Sequence, residues 1–149
     1  MSNSKVKVRD AGQEDIPALA GLMNELGYQT SVDQMQERFK GIAAHPDYKT
    51  IVAVLDGEVV GMAGLAKGIY YEKNGSYLRI VAFVVKSTHR SQGVGKLLLD
   101  AAEKWAVEQG LNTVLINCGN REERKPSHAF YEKMGYTVKS LGFIKKMES

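Results

Sequence analysis

The sequence predicts an α+β fold in which a mixed, mostly antiparallel sheet of about seven strands is flanked by about four helices. Two observations predict this class. Short runs rich in β-branched residues are joined by hairpin signals, and segments with apolar residues at three- and four-residue spacing alternate with those runs. A chain of 149 residues has the length of a single domain, which we expect to span residues 1–149.

The first half of the chain predicts one strand, then two helices, then an antiparallel hairpin. An apolar stripe at helical spacing begins near Pro17, and Gly27 is suited to end that helix. A capping-box pattern, which starts either at Thr30 or at Ser31, begins the second helix. The strands predicted here are Lys5–Arg9, Thr50–Leu55 and Glu58–Ala66, the last two joined by the hairpin turn Asp56-Gly57.

The second half is organised around a strand, a turn and a helix. Tyr77–Val85 is rich in β-branched and aromatic residues and predicts a buried strand. Apolar residues from Val94 to Trp105 recur at helical spacing, and Gly110 is placed to end that helix. Because the helix leads to the apolar run Asn112–Cys118, we expect two parallel neighbouring strands. The remaining elements are a helix between Pro126 and Gly135 and two last strands within Tyr136–Met147.

Composition excludes several classes of protein. No apolar run approaches the length of a membrane span, and Met1–Arg9 lacks the apolar centre of a secretion signal, so we expect a cytoplasmic protein with no membrane partner. The net charge of +3 comes without a basic stripe interleaved with aromatic residues, so nucleic acid is not an expected partner. Cys118 is the only cysteine, and no Cys or His pair has ligand spacing, so we expect neither an intrachain disulfide nor a metal site.

The turn between the central strand and its helix is the candidate anion-binding site. Gly93 and Gly95 remove side chains where the backbone enters the helix, so N–H groups with no intrahelical partner can meet one anionic group, for which a diphosphate is suited. Arg90 and Lys96 add positive charge. A Walker A loop needs glycine in place of Arg90, and the dinucleotide fingerprint needs a small residue in place of Leu98, so neither of these phosphate loops fits.

The spacing R-x-x-G-x-G, from Arg90 to Gly95, directly follows a strand that ends in FVV. It resembles the pyrophosphate-binding motif of the GNAT superfamily of N-acetyltransferases. The sequence HAFYEKMGY, from His128 to Tyr136, resembles the C-terminal helix of that family, and the predicted order of elements matches its fold over nearly the whole chain. Together with LMNELGY near the start of the chain, these two motifs are similar to those of small-molecule acetyltransferases, which include aminoglycoside-type enzymes. The resemblance implies the GNAT acyl-CoA N-acyltransferase fold and transfer of an acetyl group from acetyl-CoA to a primary amine.

The resemblance also implies where acetyl-CoA and a proton donor are held. It places the pantetheine arm between the strands that end at Val85 and Cys118, with a backbone N–H near Val85 stabilising the oxyanion. Tyr131 matches the family tyrosine that faces the cofactor sulfur, and a hydroxyl with a pKa of about 10 can donate a proton to the leaving thiolate. The other positions implied to hold acetyl-CoA are Val84, Arg90, Ser91, Gln92, Gly93, Val94, Gly95, Lys96 and Asn120.

The acceptor amine is expected between the loop after the first helix and the hairpin before the central strand. Aromatic rings and carboxylates in these segments suit a cationic amine. The residues concerned are Glu25, Tyr28, Tyr71 and Glu72. Oligomeric state stays open, with a homodimer as one option.

Val81 stands where related sequences often have a glutamate that faces the acceptor. The general base is therefore left open, and the candidates are water, Glu25, Glu72, His45 and His128. The same departure keeps an alternative function open, a module that binds acetyl-CoA for sensing or assembly without efficient turnover.

Overall fold

The computed structural model of the protein describes residues 5–90, 92–116, 125–138 and 143–147. The chain divides into two compact units, Met1–Ile116 and Asn117–Ser149. The strands are β1 (Lys7–Asp10), β2 (Tyr48–Leu55), β3 (Glu58–Ile69), β4 (Ser76–Val85) and β5 (Val114–Ile116). The helices are α1 (Ile16–Leu26), α2 (Val32–Ala44), α3 (Val94–Glu108) and α4 (Lys125–Lys133), with short 3₁₀ turns at Gln13–Asp15 and Ser87–His89.

All five of these strands lie in the first unit and form one sheet in the order β1-β2-β3-β4-β5. The first three pairings are antiparallel, and β4 pairs with β5 in parallel. Because α3 connects β4 to β5, the predicted helical crossover between parallel neighbours is confirmed. The predicted α+β class with a mixed, mostly antiparallel sheet is confirmed as well.

The described sheet has five strands, fewer than the about seven that the sequence predicts. The two last strands were expected within Tyr136–Met147. In that range, residues 136–138 and 143–147 form no strand, and residues 139–142 lie outside the described part. Val138, Phe143 and Ile144 expose 77%, 94% and 88% of their surface. The apolar character of these three described residues therefore does not reflect burial, and an apolar run does not form a stable strand unless a neighbour pairs with it.

In the first unit, α1 and α2 cover one face of the sheet and α3 covers the other. Met62 and Val84 are cross-strand partners, and both belong to a buried cluster with residues of α1 and α2. Gly61 faces the opposite way, since successive residues of a strand alternate. A Cβ on Gly61 would lie 3.1 Å from Leu98 and 3.2 Å from Val94, so this glycine lets the start of α3 pack closely on the sheet.

A β-bulge interrupts β4 at Val81. On β3, Gly64 lies opposite Ala82, whereas the next residue, Leu65, lies opposite Ile80, so Val81 is an additional residue. The bulge reverses the alternation of side chains along the strand. Ile80 therefore faces α3, whereas Ala82 packs against the cluster formed with α1 and α2. Val81 itself is 46% exposed.

A bidentate ion pair joins β1 to the turn before α1. The Arg9 guanidinium donates hydrogen bonds of 2.7 and 3.0 Å to the two carboxylate oxygens of Asp15, and the Gly12 N–H donates another of 2.8 Å. Asp15 is 3% exposed. The hydrogen bonds from Arg9 hold the pKa of the Asp15 carboxyl below its usual value, although burial acts in the opposite direction. This contact fixes where α1 begins relative to the sheet.

Candidate functional site

The start of α3 is a helix N-terminus without a side-chain cap. Gly93 is the N-cap residue, and its φ of 83° and ψ of 2° lie in the left-handed region. The first turn of α3 carries no acidic residue. In contrast, α2 begins with a capping box in which Ser31 and Gln34 bond to each other's backbone N–H. Since no described side chain caps the first N–H groups of α3, these groups can meet a ligand, and the helix dipole favours an anionic one.

The basic side chains around this N-terminus differ in whether a carboxylate neutralises them. Lys96 donates to Asp100 at 3.1 Å, and Lys86 forms an ion pair with Glu58. The hydrogen bond and charge of Lys86 hold the pKa of Glu58 below its usual value. In the ranges that the structure describes, no salt bridge includes Arg90, so its guanidinium is the cation of this loop that is available to an anion.

Next to this loop, one edge of β4 has no strand partner among the residues that the structure describes. Lys86 N–H donates to Val60 O of β3 at 2.8 Å, so strand alternation directs the N–H and C=O of Val85 to the other edge. Arg90 reaches the same edge, because its Nε donates to Val85 O at 3.4 Å. Among the described residues, β5 pairs with β4 only as far as Ile80. The rest of this edge can pair with an extended ligand.

The remaining positions predicted to hold acetyl-CoA have different surroundings. Val84 is 4% exposed, and its side chain belongs to the core with α1 and α2. Val94 is 1% exposed, so of this residue only backbone groups are offered to a ligand. Gln92 is exposed. Ser91 and Asn120 lie outside the described residues.

The C-terminal end of α1 meets the segment that follows β4. Oε1 of Glu25 accepts a hydrogen bond of 2.7 Å from Ser87 N–H. Gly27, with a φ of 109°, then ends α1, and Tyr28 N–H donates back to Met23 O at 2.9 Å. Of the four predicted acceptor residues, Glu25 thus contacts the segment that follows β4, whereas Tyr28 is 62% exposed.

The loop between α1 and α2 borders a polar cavity of about 420 Å³. Thr30 is 5% exposed, and its hydroxyl donates to Tyr28 O at 2.8 Å and accepts from Arg38 at 3.1 Å. The side chains that line the cavity are all uncharged, and they belong to Asn24, Gln29, Thr30, Ser31 and Gln34. Such a surface can bind hydroxyl or other neutral polar groups.

The hairpin loop between β3 and β4 presents Tyr71, which is fully exposed, and Glu72 on the surface. Tyr70 instead packs on Tyr77, with ring centroids 4.9 Å apart, and Lys73 Nζ lies 4.5 Å from the Tyr70 ring. Within residues 5–90, no ion pair, ring contact or side-chain hydrogen bond joins Tyr71 or Glu72 to Tyr28. In this part of the structure, the predicted acceptor residues other than Glu25 are therefore surface residues that share no ion pair, ring contact or side-chain hydrogen bond.

Val81, which stands in place of the expected glutamate, and the residues considered for deprotonation of the acceptor have different surroundings. Val81, at the bulge, is 46% exposed on the face covered by α1 and α2. His45 ends α2, and its Nδ1 accepts a hydrogen bond of 3.1 Å from Asp47 N–H, with the ring against Tyr48. His45 thus has a local role at a helix end, and Glu25 is engaged with Ser87.

The second unit contains Tyr131, on the last turn of α4. Its ring is partly buried, with centroids 5.5 Å from Phe130 and 6.3 Å from Tyr136. Gly135, with a φ of 97°, ends the helix, and Tyr136 N–H donates to Tyr131 O at 3.0 Å. The helix end therefore fixes the backbone of Tyr131, and the two aromatic neighbours restrict its side chain.

Two contributors to this site were not identified from sequence. Gly61 sets the close approach of α3, and the interior glycine of a strand is the signal that could have indicated it. Ser87 contributes only its backbone N–H, which no sequence pattern marks.

Among the described residues, no helix is long and apolar enough to cross a bilayer. In the same ranges, no group of three or more His, Cys, Asp or Glu side chains is arranged to hold a metal ion.

Comparison with known proteins shows which family the sequence matches. Residues 16–136 match the acetyltransferase (GNAT) family. An uncharacterized N-acetyltransferase of Bacillus subtilis (strain 168), YhdJ, is 30% identical over 125 residues, which are 83% of this chain and 86% of the relative. The aminoalkylphosphonate N-acetyltransferase of Salmonella typhimurium (strain LT2) is 28% identical over 146 residues, 95% of this chain and 91% of the relative.

A solved structure supports the same fold. The aminoglycoside N-acetyltransferase AAC(6')-Iy, in complex with CoA, superposes with a TM-score of 0.85 over 99% of this chain and 98% of that chain. The two sequences are 16% identical, so the similarity concerns the fold alone.

Proposed function

The chain belongs to the acetyltransferase (GNAT) family of acetyl-CoA-dependent acyltransferases, and from that premise we propose that it transfers the acetyl group of acetyl-CoA to a primary amine of a small molecule. The amine nitrogen attacks the thioester carbonyl carbon and the C–S bond breaks, with the proton of the amine passing to a base or to water. The thiolate of coenzyme A takes a proton from Tyr131, and solvent then reprotonates the Tyr131 hydroxyl. The observation that carries the proposal is the uncapped start of α3, which a short loop joins to the open edge of β4.

In this proposal the diphosphate of acetyl-CoA lies at the N-terminus of α3. The N–H groups of Val94, Gly95 and Lys96 donate to its oxygens, and the guanidinium of Arg90 supplies positive charge. The proposal also includes Val84, Ser91, Gln92, Gly93 and Asn120 among the positions that hold acetyl-CoA, as the resemblance of the sequence motifs to this family implies.

The backbone of Val85 is proposed to act at the thioester end of acetyl-CoA. Its N–H points to the edge of β4 that faces away from β3. When the pantetheine arm pairs with this edge, that N–H can donate to the carbonyl oxygen on which negative charge develops. A backbone donor fixed in a sheet needs no rearrangement during the reaction, which is the condition for effective stabilisation.

Tyr131 is the proposed general acid. A tyrosine hydroxyl is protonated at neutral pH, so it can donate to a thiolate. The proposal is supported by the match of HAFYEKMGY to the family helix and by the restricted position of the ring between Phe130 and Tyr136.

The acceptor is proposed to bind on the side of Glu25, Tyr28, Tyr71 and Glu72. The relative that acts on aminoalkylphosphonates supports a small amine as the acceptor class. The neutral polar cavity beside Thr30 supports an acceptor that also carries hydroxyl or similar groups. For deprotonation, water, Glu25, Glu72, His45 and His128 stay as candidates, since Val81 offers no carboxylate. We further propose that residues 1–149 act as one domain, and a homodimer and a cytoplasmic location are kept as expectations from the sequence.

The test is thiol release from acetyl-CoA in the presence of aminoalkylphosphonates, aminoglycosides, polyamines, amino acids and short peptides. Wild type is compared with Tyr131→Phe and with Tyr136→Phe, a matched loss of one hydroxyl in the same unit. Mass spectrometry of the amine verifies that the acetyl group has moved to it.

Release stimulated by one amine class, with a kcat reduced about 10²-fold in Tyr131→Phe only, supports the proposal and identifies the acceptor. Equal activity of wild type and Tyr131→Phe overturns the role of Tyr131. Tight binding of acetyl-CoA with no release on any amine favours the alternative, a binding module without turnover.

A further inference from the structure

Glu25 reaches from the last turn of α1 to the chain segment that follows β4. Its Oε1 accepts the Ser87 N–H at 2.7 Å, across 62 positions of sequence, and this length is typical of a charge-assisted hydrogen bond. Ser87 is the first residue of the 3₁₀ turn Ser87–His89, whose N-cap residue, Lys86, supplies no side-chain cap. Glu25 therefore takes the place of the missing cap.

The capped turn leads directly into the anion-binding loop. Lys86 N–H is bonded to Val60 O of β3, and His89 N–H is bonded to Lys86 O, both at 2.8 Å. Arg90 comes next and returns to Val85 O through its Nε. The described contacts that hold the path from β4 to Arg90 thus come from the sheet, from the turn itself and, through Glu25, from α1.

We propose that Glu25 is a positioning residue for acetyl-CoA binding: by capping the turn Ser87–His89, it sets the direction in which Arg90 and the start of α3 are presented. The inference rests on the proposed binding of the diphosphate at α3. It assigns Glu25 to the cofactor loop, whereas the sequence alone placed it with the acceptor.

The role needs an acceptor oxygen at this position and does not need a charge. A glutamine keeps Oε1 and can accept from Ser87 N–H, whereas an alanine leaves that N–H without this partner. A carboxylate that instead bound or deprotonated a cationic amine would lose its function in the glutamine variant. The two roles therefore predict opposite behaviour of Glu25→Gln.

The experiment compares wild type, Glu25→Ala, Glu25→Gln and Glu37→Ala. The last variant is the control, because it removes an exposed carboxylate from a different helix, α2. Calorimetry gives the Kd of coenzyme A, which requires no turnover. Residue-resolved amide exchange reports on Ser87, thermal unfolding reports on the fold, and steady-state kinetics give KM for acetyl-CoA and for the amine separately.

We expect Glu25→Ala to weaken coenzyme A binding about three- to tenfold and to speed exchange of the Ser87 amide, with Tm close to that of Glu37→Ala. Glu25→Gln should restore both quantities to within about twofold of wild type. An unchanged Kd in Glu25→Ala overturns the inference. A Glu25→Gln variant that binds coenzyme A as weakly as Glu25→Ala overturns it as well, because an acceptor oxygen at this position is then not what the loop needs.

The proposed function and this inference fail in different ways. A wild-type protein that binds coenzyme A but acetylates no amine contradicts the proposed transfer, and the Kd and amide exchange of Glu25→Ala then still support or overturn the positioning role. A wild-type protein that does not bind coenzyme A overturns both.

Discussion

Asn24 and Thr30 close the loop between α1 and α2 through a pair of opposed hydrogen bonds. Thr30 N–H donates to Asn24 Oδ1 at 2.8 Å, and Asn24 Nδ2 donates to Thr30 O at 3.0 Å and to Ala20 O at 3.0 Å. One side-chain amide thus pairs with the backbone as a neighbouring strand would. This fixes the loop whose residues line the polar cavity on the proposed acceptor side.

Replacement of Asn24 should destabilise the fold by loss of these bonds. We expect Asn24→Ala to lower the free energy of unfolding by about 1–3 kcal/mol. Asn24→Asp should cost at least as much at neutral pH, because a carboxylate cannot donate to the two carbonyl oxygens and lies against them. Urea denaturation measures both, with the exposed Gln36→Ala in α2 as the control. An Asn24→Asp variant as stable as wild type would contradict the assigned hydrogen bonds.

Addition of one methyl group should have opposite effects at two glycines. In Gly61→Ala the new Cβ meets the backbone oxygen of Val84 and the side chain of Leu98, each at 3.1 Å, so we expect a loss of about 1–3 kcal/mol in unfolding free energy. In Gly41→Ala, in the interior of α2, nothing lies within 4 Å, and the change should stabilise by about 0.5–1 kcal/mol. Thermal and urea unfolding of the two variants measures the contrast. Equal effects would mean that α3 does not approach the sheet at Gly61.

The left-handed conformation of Gly93 predicts that a substitution at this position weakens coenzyme A binding. An alanine at a φ of 83° costs about 1–2 kcal/mol, so the loop should relax away from the geometry that presents the N–H groups of α3. We expect Gly93→Ala to weaken coenzyme A binding about tenfold, as measured by calorimetry. Gly21→Ala, in α1 with open space around it, is the control and should bind as wild type does. Normal binding by Gly93→Ala would exclude this turn as the diphosphate site.

The Arg9–Asp15 pair predicts a pH dependence of stability. The pKa of Asp15 is lowered in the folded state, so its contribution is present above the unfolded value of about 4 and is lost as the pH falls through the folded value. Asp15→Asn should therefore be less stable than wild type by about 1–3 kcal/mol at pH 7, and the difference should shrink on acidification below pH about 4. Urea denaturation across this range gives the difference directly. A difference in unfolding free energy between wild type and Asp15→Asn that stays constant with pH would contradict the lowered pKa of Asp15.

Elements that depend on neighbouring residues in sequence could be predicted. The Ser31 capping box begins α2, the helix-ending glycines Gly27 and Gly110 have positive φ, and Asp56-Gly57 forms the turn between β2 and β3 with both φ angles positive. Each follows from local backbone chemistry, which is fully written in a few adjacent residues. The turn that leads into α3 belongs to the same group, since Gly93 and the start of an apolar helix specify its geometry, whereas anion binding at this turn stays a prediction.

Features that arise from packing between distant segments could not be predicted. The bond between Glu25 and Ser87 joins a side chain to a backbone group 62 residues away, and only the folded sheet brings them together. The third strand was also predicted too short, ending at Ala66 rather than Ile69, because Gly68 reads as a break in sequence. In the fold, this glycine lies beneath the Tyr77 ring, where a Cβ would come within 2.4 Å of it.

The bulge at Val81 has a consequence for how the gene can vary. Because Val81 is an added residue, Ile80 reaches the layer under α3 while Val84 reaches the cluster under α1 and α2. A substitution at position 81 leaves this division intact, since that side chain is 46% exposed. A single-codon deletion there would instead move one of the two buried residues to the wrong side of the sheet. We therefore expect homologous chains to vary in the amino acid at this position far more readily than in the number of residues between Ile80 and Val84.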